Sequence, residues 1–349
     1  MLSRDYAMCL LFGLEFNPEN VIKAREKLAK YGDLEVCFET SEKSPILVPI
    51  NRIPYDPFTY KRYLQAAPRI SEVENSIQLC SDSQIAQFVN AIFGVDMQAY
   101  PDYEKQRICA EDVFGIVKLY TNKFETESDF TQWCKGKVNY TQAPFSRKRN
   151  ESGSTPRMRE LYVLKSELHE NVVKNIVTKL SYFQKHMENL KKDFVLVGYV
   201  RKSVKLAQHR VKNIQSMVNS LYSRSNVDKC FVSYSSDANS DITTRDFRDD
   251  IKTLEKIQNV HGNTQKMIDF ISSSKQKVCI VIIDYAGLST DPVNIQQFIK
   301  DNDAIEKIII DCFPYTCDAV EFERSHILDN IKTLSPFNCR ETPRQRSKT

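Results

Sequence analysis

The chain has 349 residues, of which 41% are hydrophobic and 27% are charged, and its formal net charge is +4. This composition excludes wholesale disorder, and the length exceeds what one hydrophobic core usually supports, so we expect two domains. The small net charge does not by itself indicate a nucleic-acid-binding protein, so that question depends on where the basic residues cluster.

The cysteines and the hydropathy pattern exclude several further classes. The ten cysteines are scattered and form no Cys-x-x-Cys pair, so we expect no structural metal and no cofactor. Reduced thiols indicate a nuclear or cytoplasmic protein. The apolar run 6–14 is typical of a core element rather than a signal peptide, and no run reaches the roughly 20 apolar residues that a membrane helix needs.

The N-terminal region, residues 1–143, is rich in helical patterns and holds two short strand candidates, which indicates an α-rich α+β region of unknown fold. The predicted helices span residues 17–30, 81–93, 102–119 and 127–134, and the predicted strands span 35–39 and 46–50. No motif in this region indicates a function.

Residues 144–160 differ in composition from the segments on either side. They hold five basic residues and, before Glu160, the single acid Glu151, together with Ser, Gly and Pro and no apolar periodicity. We interpret them as a flexible basic linker, which either contacts a phosphate backbone or serves as a nuclear-import patch, or else is a solvated connector. The candidate DNA-binding residues of this segment are Arg147, Lys148, Arg149, Arg157 and Arg159.

The rest of the chain predicts a long helix and then an α/β domain. Apolar residues recur at three- and four-residue steps within 161–191, which predicts the helix. Over residues 192–318, apolar runs alternate with amphipathic segments, which predicts a mostly parallel sheet flanked by helices. The predicted strands span 194–200, 227–234, 277–284 and 305–313, and the predicted helices span 207–224, 264–273 and 292–300. Residues 319–349 are a C-terminal extension with a basic tail.

Polar side chains stand at the ends of the predicted strands. Tyr199, Arg201 and Ser203 share one face at the end of the first strand, because side chains alternate along a strand. Asp284 ends the third strand, and Arg245 lies in the polar loop 235–246 after the second. Open α/β sheets bind ligands at this edge, and a hydroxyl, a carboxylate and arginines can hold or attack a phosphodiester. An alternative stays open, in which Ser203 caps a helix and Arg201 faces solvent.

The Tyr-x-Arg-x-Ser string of Tyr199, Arg201 and Ser203, followed by helix, strand, polar loop, helix and a strand that ends in Asp284, resembles the catalytic domain of the serine recombinases. The resemblance to this resolvase/invertase family covers residues 192–315. It implies a resolvase-like fold in which Ser203 attacks DNA to form a phosphoserine link, Asp284 closes the third strand, and arginines such as Arg201 and Arg245 activate the serine.

The chain departs from the family's pattern after the third strand. The family carries Asp-Arg-Leu-x-Arg there, whereas this chain reads Asp-Tyr-Ala-Gly-Leu over 284–288, so two arginines are missing. Loss of one such donor to a transition state commonly costs about 10²–10³ in rate. Lys202 follows Arg201 and is a further candidate DNA contact.

Three functional hypotheses follow from these patterns. The first is a DNA-binding protein derived from a mobile element, in which strand exchange is impaired or lost. The second is a non-enzymatic interaction protein that uses the sheet as a dimerisation scaffold. The third is an active serine recombinase that uses Ser203. We expect a homo-oligomer and no membrane partner.

Overall fold

The computed structural model describes residues 1–53, 58–66, 78–147, 156–203, 209–247, 254–313 and 318–338. The chain divides into two units, Met1–Lys179 and Leu180–Thr349. The predictions for Lys148, Arg149 and the basic tail 340–349 lie outside the described residues. Within the described part of the chain, no helix combines the length and the hydropathy needed to cross a membrane.

The first unit begins with two helices and a small antiparallel sheet. These elements are α1 (Arg4–Leu11), α2 (Pro18–Ala29), β1 (Leu34–Phe38), β2 (Ile46–Pro49) and β3 (Lys61–Arg62), and β1 is the central strand. Asn17 starts α2 by accepting a hydrogen bond from the backbone N–H of Asn20, and Pro18 occupies the first helical turn, where its missing N–H costs nothing.

The larger part of the first unit surrounds a second antiparallel sheet. Its elements are α3 (Asp82–Ile92), β4 (Phe93–Gly94), β5 (Tyr103–Ile108), α4 (Ala110–Lys118), α5 (Glu127–Cys134), β6 (Phe145–Arg147) and β7 (Arg157–Leu164). The long helix α6 (His169–Leu190) follows, and the division between the two units falls within it. Strand β7 pairs with β4, β5 and β6, and Phe88, Phe130 and Leu161 are fully buried in the core beside it.

Three segments of this unit differ from the sequence-based expectation. Residues 161–164, expected to begin the long helix, are the end of β7. Residues 103–108 pair along β7 and form a strand, not the start of a helix. Only the two end residues of this strand, Tyr103 and Ile108, are buried. The segment 144–160, expected to be a linker, contributes β6 and the start of β7. Polar strands such as β5 and β6 show no alternation of apolar and polar residues. They can be recognised as strands only from the neighbouring strand with which they pair.

The second unit contains a five-stranded sheet flanked by helices. In chain order its elements are β8 (Phe194–Arg201), α7 (Arg210–Ser225), β9 (Lys229–Ser233), α8 (Thr264–Ser273), β10 (Lys277–Ile282), α9 (Pro292–Lys300), β11 (Ile305–Asp311), β12 (Ala319–Glu323) and α10 (Arg324–Asp329). The strand order is β12-β11-β10-β8-β9. Strands β8 to β11 run parallel, and β12 is antiparallel to β11.

The expected α/β class with a mostly parallel sheet is therefore confirmed. The central strands bury both faces, as the side chains of Val197, Ile280 and Ile308 on one face and Leu196 and Ile309 on the other show. Continuous apolar runs are typical of such doubly covered strands. Strand β12 lies in the segment that the sequence indicates only as a C-terminal extension.

Candidate functional site

The carboxyl ends of β8, β9 and β10 lie at one edge of the sheet. Strand β8 lies between β9 and β10. The chain therefore passes from β8 to its neighbour on one side, β9, and later forms its neighbour on the other side, β10. Such a switch in strand order opens a crevice between neighbouring loops, which is where open α/β sheets bind ligands. The predicted residues Tyr199, Arg201 and Asp284 lie at this edge.

The guanidinium of Arg201 is held by main-chain carbonyl groups at this edge. Arg201 is only 2% exposed. Its Nε and Nη2 donate to the carbonyl oxygen of Ala286 at 3.1 and 2.8 Å, and its Nη1 donates to that of Ser236 at 2.5 Å. Arg201 therefore joins the loop after β9 to the loop after β10.

Arg245 has a similar environment. It is 3% exposed, and its Nη1 donates to the carbonyl oxygen of Leu288 at 2.6 Å. Its Nε and Nη2 donate to the hydroxyl and the carbonyl oxygen of Ser240 at 3.1 and 2.7 Å. Nη1 also lies 3.4 Å from the hydroxyl oxygen of Tyr199, so the structure brings these two predicted residues together. The second arginine thus fixes the loop 235–246 to the loop after β10.

A hydrogen-bond network that the sequence analysis did not find connects the same edge. The Tyr199 hydroxyl lies 3.0 Å from the hydroxyl of Thr264 at the start of α8. The Asp246 carboxylate accepts hydrogen bonds from the N–H and hydroxyl of Thr264 and from the hydroxyl of Ser233, the last at 3.0 Å. Asp246 has a φ of 58°, a left-handed conformation that Asp tolerates better than most residues. In the sequence, only the polar composition of the loop 235–246 indicated this network.

The side chains of Ser203 and Asp284 are not part of this hydrogen-bond network. Ser203 is half-buried, and its carbonyl oxygen accepts a hydrogen bond from Nη1 of Arg210 at 2.8 Å. Asp284 is 6% exposed and its carbonyl accepts from the N–H of Gly287 at 2.7 Å. Among the described residues, neither the Ser203 hydroxyl nor the Asp284 carboxylate has a hydrogen-bond partner. The backbone N–H of Lys202 donates to the carbonyl oxygen of Ser233 at the end of β9, and the carbonyl oxygen of Lys202 accepts from the N–H of Ser236.

The remaining predicted DNA-binding residues lie on a β-hairpin of the first unit. Strands β6 and β7 pair Phe145 with Arg159 and Arg147 with Arg157. Strand β5 ends where Ile108 pairs with Arg159, so the pair of Arg147 and Arg157 extends beyond β5 as a two-stranded ribbon. Because alternate residues face the same way, Phe145 and these three arginines share one face. We call this surface the arginine face.

The arginine face places three positively charged side chains around an aromatic ring. Phe145 is 46% exposed, and the guanidinium carbons of Arg157 and Arg159 lie 4.9 and 5.5 Å from its ring centroid. Within the described ranges, Arg147, Arg157 and Arg159 form no ion pair. On the opposite face of the same sheet, by contrast, Lys105 pairs with Glu160 at 2.8 Å. Among the described residues, the two faces therefore differ, since an ion pair is present only on the face opposite the arginine face.

A third group of charges is buried in the second unit. The Lys307 ammonium lies 2.9 Å from Glu321 and 2.8 Å from Glu323, and His186 of α6 contacts the other oxygen of Glu321. Burial alone lowers the pKa of Lys307, but the two carboxylates raise it above its ordinary value. Burial raises the pKa of Glu321, but the hydrogen bond and charge of His186 and the charge of Lys307 hold it below its ordinary value. Lys307 and Glu321 therefore stabilise each other's charged forms.

No group of three or more His, Cys, Asp or Glu side chains in the described ranges is arranged to hold a metal ion. No family model, curated protein or solved structure matches the chain. The candidate functional sites are therefore the sheet edge and the arginine face, and the case for each depends on its own geometry.

Proposed function

We propose that this protein binds DNA through the arginine face and that its second unit is a serine-recombinase-like domain, derived from a mobile element, in which strand exchange is impaired or lost. The single observation that carries the DNA-binding part is the cross-strand pair of Arg147 and Arg157, with Arg159 beside it and no acidic partner among the described residues.

Physical chemistry favours an anionic ligand at this face. Like charges directly opposite each other on neighbouring strands destabilise a sheet. A phosphate backbone removes that repulsion, because it supplies the missing negative charge and matches the fork of the guanidinium. A two-stranded ribbon also has the width that the major groove of duplex DNA admits. The ribbon of β6 and β7 has both the opposed arginines and the two-stranded width.

The state of the sheet edge supports the loss of chemistry. A serine recombinase needs arginines whose donors point at the reacting phosphate, and electrostatic stabilisation of that kind is usually a large term in catalysis. Arg201 and Arg245 instead direct hydrogen bonds to main-chain carbonyl oxygens of neighbouring loops. The run 284–288 also lacks the two arginines of the family's motif.

A salt titration of duplex binding tests the DNA-binding part. We expect the affinity of the full chain for duplex DNA to fall linearly with salt on a double-logarithmic plot. Arg147→Ala and Arg157→Ala should each weaken binding and reduce the salt slope by about one. Lys105→Ala, on the opposite face of the same sheet, is the matched control and should change little. Equal effects of all three variants, or binding that does not respond to salt, would contradict the proposal.

A covalent trap tests the loss of strand exchange. Denaturing electrophoresis after incubation with a DNA library should show no covalent protein–DNA adduct for the natural chain. An adduct that forms with the natural chain and disappears in Ser203→Ala would instead identify an active recombinase, since Ser203 is the candidate nucleophile.

A further inference from the structure

The loop that follows β9, residues 235–246, crosses the carboxyl end of β8. It begins beside β9, yet the carbonyl oxygen of Ala238 accepts hydrogen bonds from the N–H of Thr290 at 2.9 Å and from the hydroxyl of Ser289 at 3.1 Å, both in the loop after β10. Because β8 lies between β9 and β10, residues 235–246 have to pass over the end of β8 to make these contacts. We call residues 235–246 the strap. It lies at the edge where open α/β sheets bind ligands.

Polar contacts also attach the strap to the helices of the second unit. The side-chain oxygen of Asn294 on α9 accepts a hydrogen bond from the N–H of Ile242 at 3.2 Å. The side-chain amide of Gln265 on α8 donates to the carbonyl oxygen of Arg245 at 2.5 Å. The guanidinium of Arg245 reaches the carbonyl oxygen of Leu288 in the loop after β10. The strap is therefore held by α8, by α9 and by the loop after β10.

The strap buries little apolar surface. Of its two apolar residues, Ala238 and Ile242, only Ile242 is fully buried. The other buried residues of the strap, Ser236 and Arg245, are polar. Segments with few buried apolar contacts open at a lower free energy than core strands do. Strands β8 and β10, by contrast, are buried along almost their whole length. The strap can therefore open while the sheet stays folded.

Two guanidiniums change their environment when the strap opens. Arg201, at the end of β8, donates from Nη1 to the carbonyl oxygen of Ser236 in the strap. Arg245, within the strap, donates from Nη1 to the carbonyl oxygen of Leu288. Opening separates both pairs and makes these donors available to phosphate oxygens, which match the planar fork of a guanidinium.

We propose that the strap opens as one unit and that its opening gives a phosphodiester access to the carboxyl edge of the sheet. This inference rests on the proposed recombinase-like nature of the second unit. It adds a second reason for impaired strand exchange beside the missing arginines of residues 284–288, because the closed strap occupies the donors of Arg201 and Arg245.

Native-state hydrogen exchange of the full chain tests the opening. After correction for intrinsic rates, the N–H groups of Ile242 and Thr290 should exchange at least about tenfold faster than those of β8 and β10. Asn294→Ala removes the acceptor of the Ile242 N–H and should accelerate exchange at both positions about fivefold, the effect of losing one hydrogen bond. Acceleration at Thr290 is the decisive result, because Asn294 does not bind its N–H.

A matched variant and the core strands are the controls for this experiment. Gln297→Ala removes an amide from the exposed side of the same helix and should change exchange at neither position. Asn294→Ala should leave the protection of β8 and β10 unchanged, since only the strap opens. Acceleration at Ile242 alone, or equal acceleration across the strap and the core strands, would overturn the opening of the strap as one unit.

Isothermal titration with a thymidine dinucleotide, which carries one phosphodiester, tests the access. A ligand that binds only the open state binds more tightly in proportion to the open fraction. Asn294→Ala should therefore bind the dinucleotide about fivefold more tightly than the natural chain, and Gln297→Ala should bind it equally well. Equal affinities of Asn294→Ala and the natural chain, or no binding to either, would overturn the access.

These results are distinguishable from failure of the proposed DNA binding. The arginine face belongs to the first unit and is the same in the natural chain, Asn294→Ala and Gln297→Ala. Any binding of the dinucleotide at that face therefore cancels in the comparison. Loss of the salt-dependent duplex binding would contradict the arginine face and leave the strap unaffected.

Discussion

Arginines in the two units have opposite environments. In the second unit, Arg201 and Arg245 are 2% and 3% exposed, and main-chain carbonyl oxygens accept their hydrogen bonds. In the first unit, the arginines of the arginine face lie on a projecting ribbon, partly stacked on an exposed Phe145 and without acidic partners among the described residues. The donors of the first group are met by main-chain acceptors, whereas the charges of the second group have no acidic partner in the described ranges.

This difference matches a structural role for Arg201 and Arg245 and the proposed binding role for the arginine face. A guanidinium whose donors meet carbonyl oxygens of its own chain stabilises loops and has little left for a ligand. A cluster of guanidiniums that repel one another is a cost to the folded chain, which a polyanion removes. Substitutions in the two groups should therefore change different properties, and the following predictions test this from the largest expected effect to the smallest.

Removal of Arg201 should have the largest effect. Arg201→Met leaves the carbonyl oxygens of Ala286 and Ser236 without their donor in a buried environment. We expect the free energy of unfolding of the second unit to fall by about 3–5 kcal/mol, because each unsatisfied buried group costs about 1–3 kcal/mol. Hydrogen exchange of β8 to β10 measures it. Unchanged protection would show that Arg201 is not structural and would reopen its catalytic role.

Removal of Lys307 should have a somewhat smaller effect. Lys307→Met leaves Glu321 and Glu323 without their shared cation, although Glu323 is 45% exposed and its charge is partly screened. Breaking a fully buried pair costs about 3–5 kcal/mol, so we expect about 2–4 kcal/mol here. Hydrogen exchange of β11 and β12 measures the change, and Lys300→Met on the exposed end of α9 is the control.

The same cluster predicts a loss of stability in acid. The pKa of Glu321 in the folded chain lies below its ordinary value of 4.5. A carboxyl group with a lowered pKa stabilises the fold above that ordinary value, and this contribution is lost as the pH falls through the folded pKa. We expect Glu321→Gln to be less stable than the natural chain near neutrality but to lose less stability below about pH 4. Parallel curves for both proteins would contradict this.

Arg147→Glu should raise the free energy of unfolding instead of lowering it. It places a carboxylate opposite Arg157 and converts a repulsive cross-strand pair into an attractive one. We expect the free energy of unfolding to rise by about 0.5 kcal/mol while the affinity for DNA falls. The fluorescence of Trp133, the only tryptophan and a residue of the first unit, follows the unfolding. If the variant were less stable, the repulsion on which the proposed function depends would be absent.

The sequence predicted the second unit better than the first for a physical reason. Strands β8 and β10 are continuous apolar runs, so their pattern alone identifies them. Strand β6 holds Phe, Ser and Arg, and nothing in that pattern shows that it pairs with β7. The role of Arg201 was also beyond prediction, since its acceptors lie 35 and 85 residues away in the chain and come together only in the folded sheet. Its position at the sheet edge was predictable, and its partners were not.

Ser203→Ala should have the smallest effect and completes the comparison. The serine hydroxyl has no hydrogen-bond partner among the described residues, and Arg210 binds its carbonyl oxygen, which alanine also provides. We therefore expect the free energy of unfolding to change by less than about 0.5 kcal/mol, as for other substitutions that remove no buried interaction. A loss well above that value would show that the hydroxyl stabilises the fold. At this strand end we therefore expect the fold to require Arg201 and not the hydroxyl of Ser203.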